Sequence, residues 1–228
     1  WVGYVVGGTL ASVLAHTRMN GRGEPLEYVS EWRALGLALN ALVRSRSLIW
    51  SVCAILVFDA VIAFNHYWAI YFKPAVGQMG LSWIWVVMYL GLLGASQFVR
   101  HTTVPQGREA SLIALSLLLA GVGIGLVALA PTLGLAVSAV VVHEVGRGLF
   151  EPLSNSFVQT RLHTSYRATF GSLQSFLGRA GLAIIPFFIW LAIDGQPDTR
   201  ETIAMVWLAS AAFLVLGSIA LWATRPRA

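Results

Sequence analysis

Four ionisable side chains interrupt long apolar runs of this sequence: Asp59, Glu144, Arg147 and Arg179. A charge at the centre of a bilayer costs at least about 2.5–3.5 kcal/mol, so such residues mark ion pathways, proton relays or ligand counter-ions. Asp59 or Glu144 is suited to exchange a proton or to pair with a cationic group of a substrate. At helical spacing Asp59, Ala63 and His66 share one face, with Phe58, Ile62 and Asn65 on the adjacent stripe. Glu144, Arg147, Gly148 and Glu151 follow one another at i, i+3, i+4 and i+7, and Ser172, Ser175 and Arg179 form a similar row. A second reading makes Glu144, Arg147, Glu151 and Arg179 a fixed ion-pair network that ties helices together, and the closeness of their charges favours it. Asp59 has no cation within four residues along its own helix, which favours a cavity role. His66 suits either a pathway or an ordinary interfacial position.

No catalytic constellation accompanies these groups. The histidines His16, His66, His101, His143 and His163 never lie three or four residues apart, so no helix presents a paired metal site, and no cofactor is expected. Neither a Gly-x-Ser-x-Gly elbow nor a phosphate-binding Lys-Ser or Lys-Thr loop occurs, and an enzyme is not expected. The single cysteine, Cys53, leaves no disulfide framework. The glycine string Gly121, Gly123 and Gly125 follows no strand. It reads as small residues that let helices pack closely, as do Gly3 and Gly7.

The elements that must position these residues follow from composition. Of 228 residues, 57% are hydrophobic and 11% charged, against roughly 25% charged in a soluble domain, which excludes a water-soluble globule. Long uncharged runs extend from Trp1 to His16, Leu48 to Phe72, Leu81 to Val99, Ala110 to Ala130, Thr132 to Phe150, Thr169 to Ile193 and Ile203 to Ala223. Each is helical, because in lipid the backbone must satisfy its own hydrogen bonds. The expected fold is an all-α integral membrane bundle of six transmembrane helices over 48–223, preceded by the end of another helix over 1–17. A cytoplasmic linker fills 18–47 and a cytoplasmic tail 224–228. The first residue is Trp1, so the sequence reads as a piece of a longer chain. Within the linker, Trp32, Leu35, Leu39 and Leu42 recur at helical spacing opposite Glu31, Arg33, Asn40 and Arg44, an amphipathic helix for the membrane surface.

Orientation follows from the basic residues. Arg18, Arg22, Arg33, Arg44, Arg46, Arg100, Arg108, Arg161, Arg167, Arg225 and Arg227 fall in loops on one side, and only Lys73 and Arg200 on the other. The arginine-rich side, with the C-terminus, is therefore cytoplasmic. These residues form no continuous patch, so the +5 net charge points to the lipid bilayer as partner and to no nucleic acid. Arginine-rich turns without disulfides fit a bacterial inner membrane. Trp83 and Trp85 suit an aromatic belt at the outer interface.

The layout of six spans behind a basic linker resembles the C-terminal half of a major facilitator superfamily transporter. Tyr71-Phe72-Lys73-Pro74 with Met79-Gly80-Leu81-Ser82 is similar to that family's outer hairpin between helices seven and eight. Glu151-Pro152 to Asn155, then Arg167-Ala168-Thr169 with Ser172, resembles its cytoplasmic turn between helices ten and eleven. One departure stands out: Gly94 to Arg108 contains Gln97 and Arg100 but lacks the acid that relatives often carry there.

The resemblance implies two six-helix bundles enclosing a substrate near the midplane, so an N-terminal six-helix bundle is an implied partner. It places Asp59, Asn65, His66, Glu144, Arg147 and Arg179 on the substrate or proton pathway, and Glu151 with Arg167 at a cytoplasmic gate. The function implied is alternating-access transport of a small molecule, coupled to protons. The alternative is a membrane sensor or assembly partner that has kept the fold and lost transport.

Overall fold

Short hydroxyl side chains and two backbone breaks set the helix boundaries. In the computed structural model, which describes residues 30–102, 104, 105, 107–162, 167–193 and 199–226, the helices are α1 (Glu31–Arg44), α2 (Arg46–Phe58), α3 (Ile62–His101), α4 (Glu109–Leu129), α5 (Leu133–Gln159), α6 (Arg167–Ile193) and α7 (Arg200–Thr224). A 3-10 turn, Asp59–Val61, joins α2 to α3. No strand occurs among the described residues. The expected stub over 1–17 and the first part of the linker lie outside them.

Ser45 separates α1 from α2 and accepts the Leu48 amide on its hydroxyl at 3.3 Å. Thr132 and Thr199 do the same for the Leu135 and Thr202 amides at the starts of α5 and α7. Each satisfies a donor that the first helical turn would otherwise strand in an apolar surrounding.

The stretch Arg46–His101 is 56 residues long, near 84 Å at about 1.5 Å per residue, far too much for one crossing. It doubles back at Gly77, whose φ of 63° is open to glycine at little cost. Pro74, with no amide hydrogen, loosens the preceding turn. The packing shows the reversal. Before Gly77, Phe58 stacks on Phe150 at 4.0 Å and Phe64 meets His143 at 4.5 Å, so the chain runs against α5. After it, Gly91 abuts Glu144, and Gly148 abuts Leu92 and Ala95, so the chain runs with α5.

Among the described residues, four helical stretches are long and apolar enough to cross a membrane: Arg46–His101, Glu109–Leu129, Leu133–Gln159 and Arg200–Thr224. Their outer faces are apolar too. Leu115, Val122, Leu126 and Leu129 form an exposed stripe on α4, and Met205, Leu208, Leu216 and Ile219 another on α7. These are the features a membrane protein requires.

α4 packs between α5 and α7 through small residues, with Ala114, Ala120, Gly121 and Gly123 buried on it. Bonds from side chain to backbone cross between helices: Trp207 donates to the Ala63 carbonyl at 3.1 Å, Ser218 to that of Ala114 at 2.7 Å, and Trp50 to that of Leu221 at 3.0 Å. Trp50 also meets Phe157, at 5.3 Å. Residues near 50, 157 and 221 thus share one end of the bundle. Tyr71, which donates to the Val127 carbonyl and packs on Trp207, marks the other. Arg46, Arg161 and Arg225 gather at the first end. At the second, Arg200 lies over the Tyr71 ring, 4.9 Å from its centre.

Two expectations about the elements change. α5 continues past Phe150 and through Pro152 to Gln159, because Leu153, Phe157 and Val158 are buried and hold the extra turns against the core. Glu144 then lies fifteen residues from that helix end, about 22 Å along the axis. On α1 the packed side is Ala38 with Ala41 and Leu42, whereas Trp32, Leu39 and Val43 form an exposed apolar stripe between it and the side carrying Arg33 and Arg44.

Candidate functional site

Asp59 occupies the one place where the α2–α3 rod changes pitch. A 3-10 turn advances about 120° per residue against 100° in an α-helix, so three such residues rotate everything beyond them by about 60°. Counted around the axis from Asp59, that rotation brings Asn65 from about 120° to about 60° away and moves His66 from about 20° on one side to about 40° on the other. Asn65 accordingly lines the cavity beside Asp59. His66 is exposed, its Nδ1 3.2 Å from the Ile62 carbonyl, and it lines neither of the two cavities described next, contrary to the expectation from unbroken α-helical spacing.

The larger cavity, about 1080 Å³, lies between the α2–α3 rod, α5 and α6. Asp59, Asn65, Arg147, Glu151 and Arg179 all reach it, so four of the six predicted pathway residues and one predicted gate residue share a common space. Asp59 is only 7% exposed, and its Oδ2 has no hydrogen-bond partner among the described residues. The helix opposite makes room for that oxygen. An added methyl at Gly181 would run into Oδ2, and one at Gly178 would sit 3.9 Å from it. Two glycines one turn apart therefore let the α6 backbone approach a carboxylate. Arg179, between them in sequence, is exposed to the cavity and forms no ion pair among the described residues.

A second cavity, about 470 Å³, adjoins the first along Phe58, Asn65, Arg147 and Glu151. Glu144 lies in this one. It is 1% exposed, and Arg147 Nη1 donates to both of its carboxylate oxygens at 2.9 Å. The row Glu144, Arg147 and Glu151 on α5 is thus a fixed pair at its first rung and an open carboxylate at its last, because Glu151 is exposed and pairs with neither Arg147 nor Arg179. A buried charge is held this way at tolerable cost only when its partner stays in place.

The expected contact between Glu151 and Arg167 is not formed. Arg167 donates instead to the Leu162 carbonyl at 3.1 Å and lines a third cavity, of about 440 Å³, that adjoins the larger one along Asn155, Ala168, Gly171 and Gln174. The ion pair at this end of the bundle is Arg161 with Glu109, at 3.8 Å.

Known proteins give no further guide: no family model, no curated protein and no solved structure matches the chain.

Several lining residues escaped a search for charge. Gln174 and Ser154 are buried against the larger cavity, and as uncharged groups in apolar runs they carried little signal. Trp68, Trp85 and Tyr89 line the smaller one. Of the two tryptophans expected in an aromatic belt, Trp85, 48% exposed, also lines this cavity, whereas Trp83, 67% exposed, lines neither. His143 was read only as an absent metal ligand. It is fully buried, and its Nδ1 donates to the Ala120 carbonyl at 3.0 Å, which leaves Nε2 as the bare nitrogen.

Proposed function

We propose that this chain is the substrate-binding half of a secondary transporter of the major facilitator type, moving a small molecule by alternating access with proton coupling through Asp59. One observation carries the reading: a carboxylate only 7% exposed, its Oδ2 without a hydrogen-bond partner among the described residues, on the wall of a 1080 Å³ cavity that two arginines and a second carboxylate share. A structural ion pair would have satisfied Asp59. An unsatisfied acid in a polar, roomy space is placed to take up and release a proton. The 3-10 turn under it supplies a point where the helix can repitch as the proton binds.

In this reading the α2–α3 rod crosses twice and α4 to α7 once each, six passes in all. The end with Arg46, Arg161 and Arg225 faces the cytoplasm of a bacterial inner membrane. α1 lies at that surface with Trp32, Leu39 and Val43 in the headgroup region. A second six-helix bundle closes the open side of the cavity, and Glu151 and Arg167, apart here, meet when the cytoplasmic side shuts.

The test uses the complete protein in proteoliposomes with a trapped pH-sensitive dye, challenged with a panel of organic cations, anions and sugars. Solute-dependent proton movement is expected, and Asp59→Asn should reduce it at least tenfold while a structural Trp83→Leu control does not. Wild-type proton movement in both Asp59→Asn and Glu144→Gln would overturn coupling through these acids. Ligand binding with no flux of any solute would favour the sensor reading.

A further inference from the structure

We propose that the smaller cavity is a subsite for an organic ammonium cation, received on the ring faces of Trp68, Trp85 and Tyr89 and neutralised by Glu151. The proposal rests on the transport reading for its biological use and names the class of substrate. Its physical basis is separate.

Consider what a ligand meets in that 470 Å³ space, a volume within the usual range for small-molecule sites. Three kinds of wall are present. The first is aromatic. Trp85 and Tyr89 stand one helical turn apart with ring centroids at 4.1 Å and planes tilted by 38°, Trp68 comes from the other limb of the hairpin, and Phe58 is braced by its stack on Phe150. Ring faces carry negative charge density, so they attract a cation and repel an anion. The second is the Glu144–Arg147 pair, whose charges cancel across 2.9 Å. Arg147 thereby commits one nitrogen to both oxygens of Glu144, which weakens it as an anion receptor. The third is Glu151, a carboxylate that reaches the cavity and pairs with no cation among the described residues. Summed over the lining, Glu144 and Glu151 against Arg147 leave one net negative charge. Aromatic faces around a net negative lining match an alkylated ammonium, whose charge is spread over a weakly hydrated apolar head.

The test is equilibrium binding of radiolabelled phenyltrimethylammonium to the full protein in nanodiscs, without any gradient. Competition comes from tert-butylbenzene, the neutral isostere, and from benzenesulfonate. Saturable cation binding is expected, displaced by unlabelled cation and by neither competitor. Glu151→Gln should weaken it roughly tenfold, and Trp85→Leu and Tyr89→Leu each about three- to tenfold. Trp83→Leu, outside both cavities, should leave it unchanged. Displacement by the neutral isostere as effective as by the cation would overturn the proposal, as would tighter benzenesulfonate binding that rises in Glu151→Gln. Because no gradient is applied, the two readings fail separately. Cation binding without flux sustains the subsite and breaks transport, whereas proton-coupled flux of another solute without cation binding does the reverse.

Discussion

Glycine does opposite work on the two sides of this bundle. In the seam of α4, α5 and α7 it brings backbones together. A methyl at Gly146 would lie 2.6 Å from the Ser116 carbonyl oxygen, one at Gly123 would lie 2.6 Å from the His143 Cα, and one at Gly121 would lie 2.8 Å from the Leu214 Cβ. Along α6 the contrast is Gly171, which faces nothing within 4 Å, while Gly178 and Gly181 bring that helix onto Ile55, Leu56 and the Asp59 carboxylate. Charge divides the same way. Beyond Glu109 on α4 and Arg200-Glu201 on α7 those two helices carry none, while Asp59, Glu151, Arg147 and Arg179 reach the cavity side. One region uses its small residues to join backbones, the other to seat a helix against a carboxylate and, at Gly171, to leave the wall open.

The sharpest way to break this comparison lies where the two regions meet. Glu144 sits on α5 between seam and cavity, and Arg147 alone neutralises it among the described residues. Arg147→Met strands a carboxylate that is 1% exposed, so stability should fall by about 3–5 kcal/mol. The double variant Glu144→Gln/Arg147→Met should recover most of the loss. Thermal unfolding in detergent measures both. Equal instability of the double and the single variant would show that the arginine acts through packing alone.

How far these regions were legible in the sequence depends on what signals each leaves. Apolar runs bounded by arginine announce membrane helices because lipid tolerates little else, and the reading of Leu48 to Phe72 and Leu81 to Val99 as two passes matches the reversal at Gly77. Asp59, Glu144, Arg147 and Arg179 stood out because a charge in such a run is costly, and all four line one of two adjoining cavities. Register did not survive as well. Counting unbroken α-helical turns puts His66 beside Asp59, yet Asn65 lines both cavities and His66 neither, and the local 3-10 turn that brings Asn65 round toward Asp59 is announced by no residue type. Glu151-Pro152 read as a turn because proline so often ends a helix, yet buried Leu153 and Phe157 hold α5 together beyond it. Aromatic residues gave the weakest signal: Trp83 and Trp85 lie two residues apart, and nothing in their types separates a lipid-facing side chain from a cavity wall.

An identical substitution on each side sharpens the comparison. Gly146→Ala places its methyl against the backbone of Ala120 and Ser116, which no rotamer change relieves, and the helices must part at a cost of about 1–3 kcal/mol. Gly171→Ala meets open space in a helix interior and should stabilise by about 0.4–1 kcal/mol by restricting the unfolded chain. Opposite signs in the same unfolding assay are the expected result. Like signs would mean that the α6 wall is packed as tightly as the seam.

The smallest effect separates the two regions by hydrogen bonding. Ser218 and Ser172 are both helical serines that donate to a main-chain carbonyl, but Ser218 reaches across to Ala114 at 2.7 Å while Ser172 turns back to Ala168 in its own helix at 3.2 Å. A bond between membrane helices contributes about 0.6 kcal/mol on average, so Ser218→Ala should destabilise by about that amount. Ser172→Ala should change stability by less, because the Ala168 carbonyl keeps its place in the helix without the hydroxyl and Ser172 is exposed to the cavity. The pair is informative because hydroxyl and backbone acceptor are the same in both. Any difference measured between them is the worth of joining two helices, which the seam needs and the cavity wall, if it is to move, must do without.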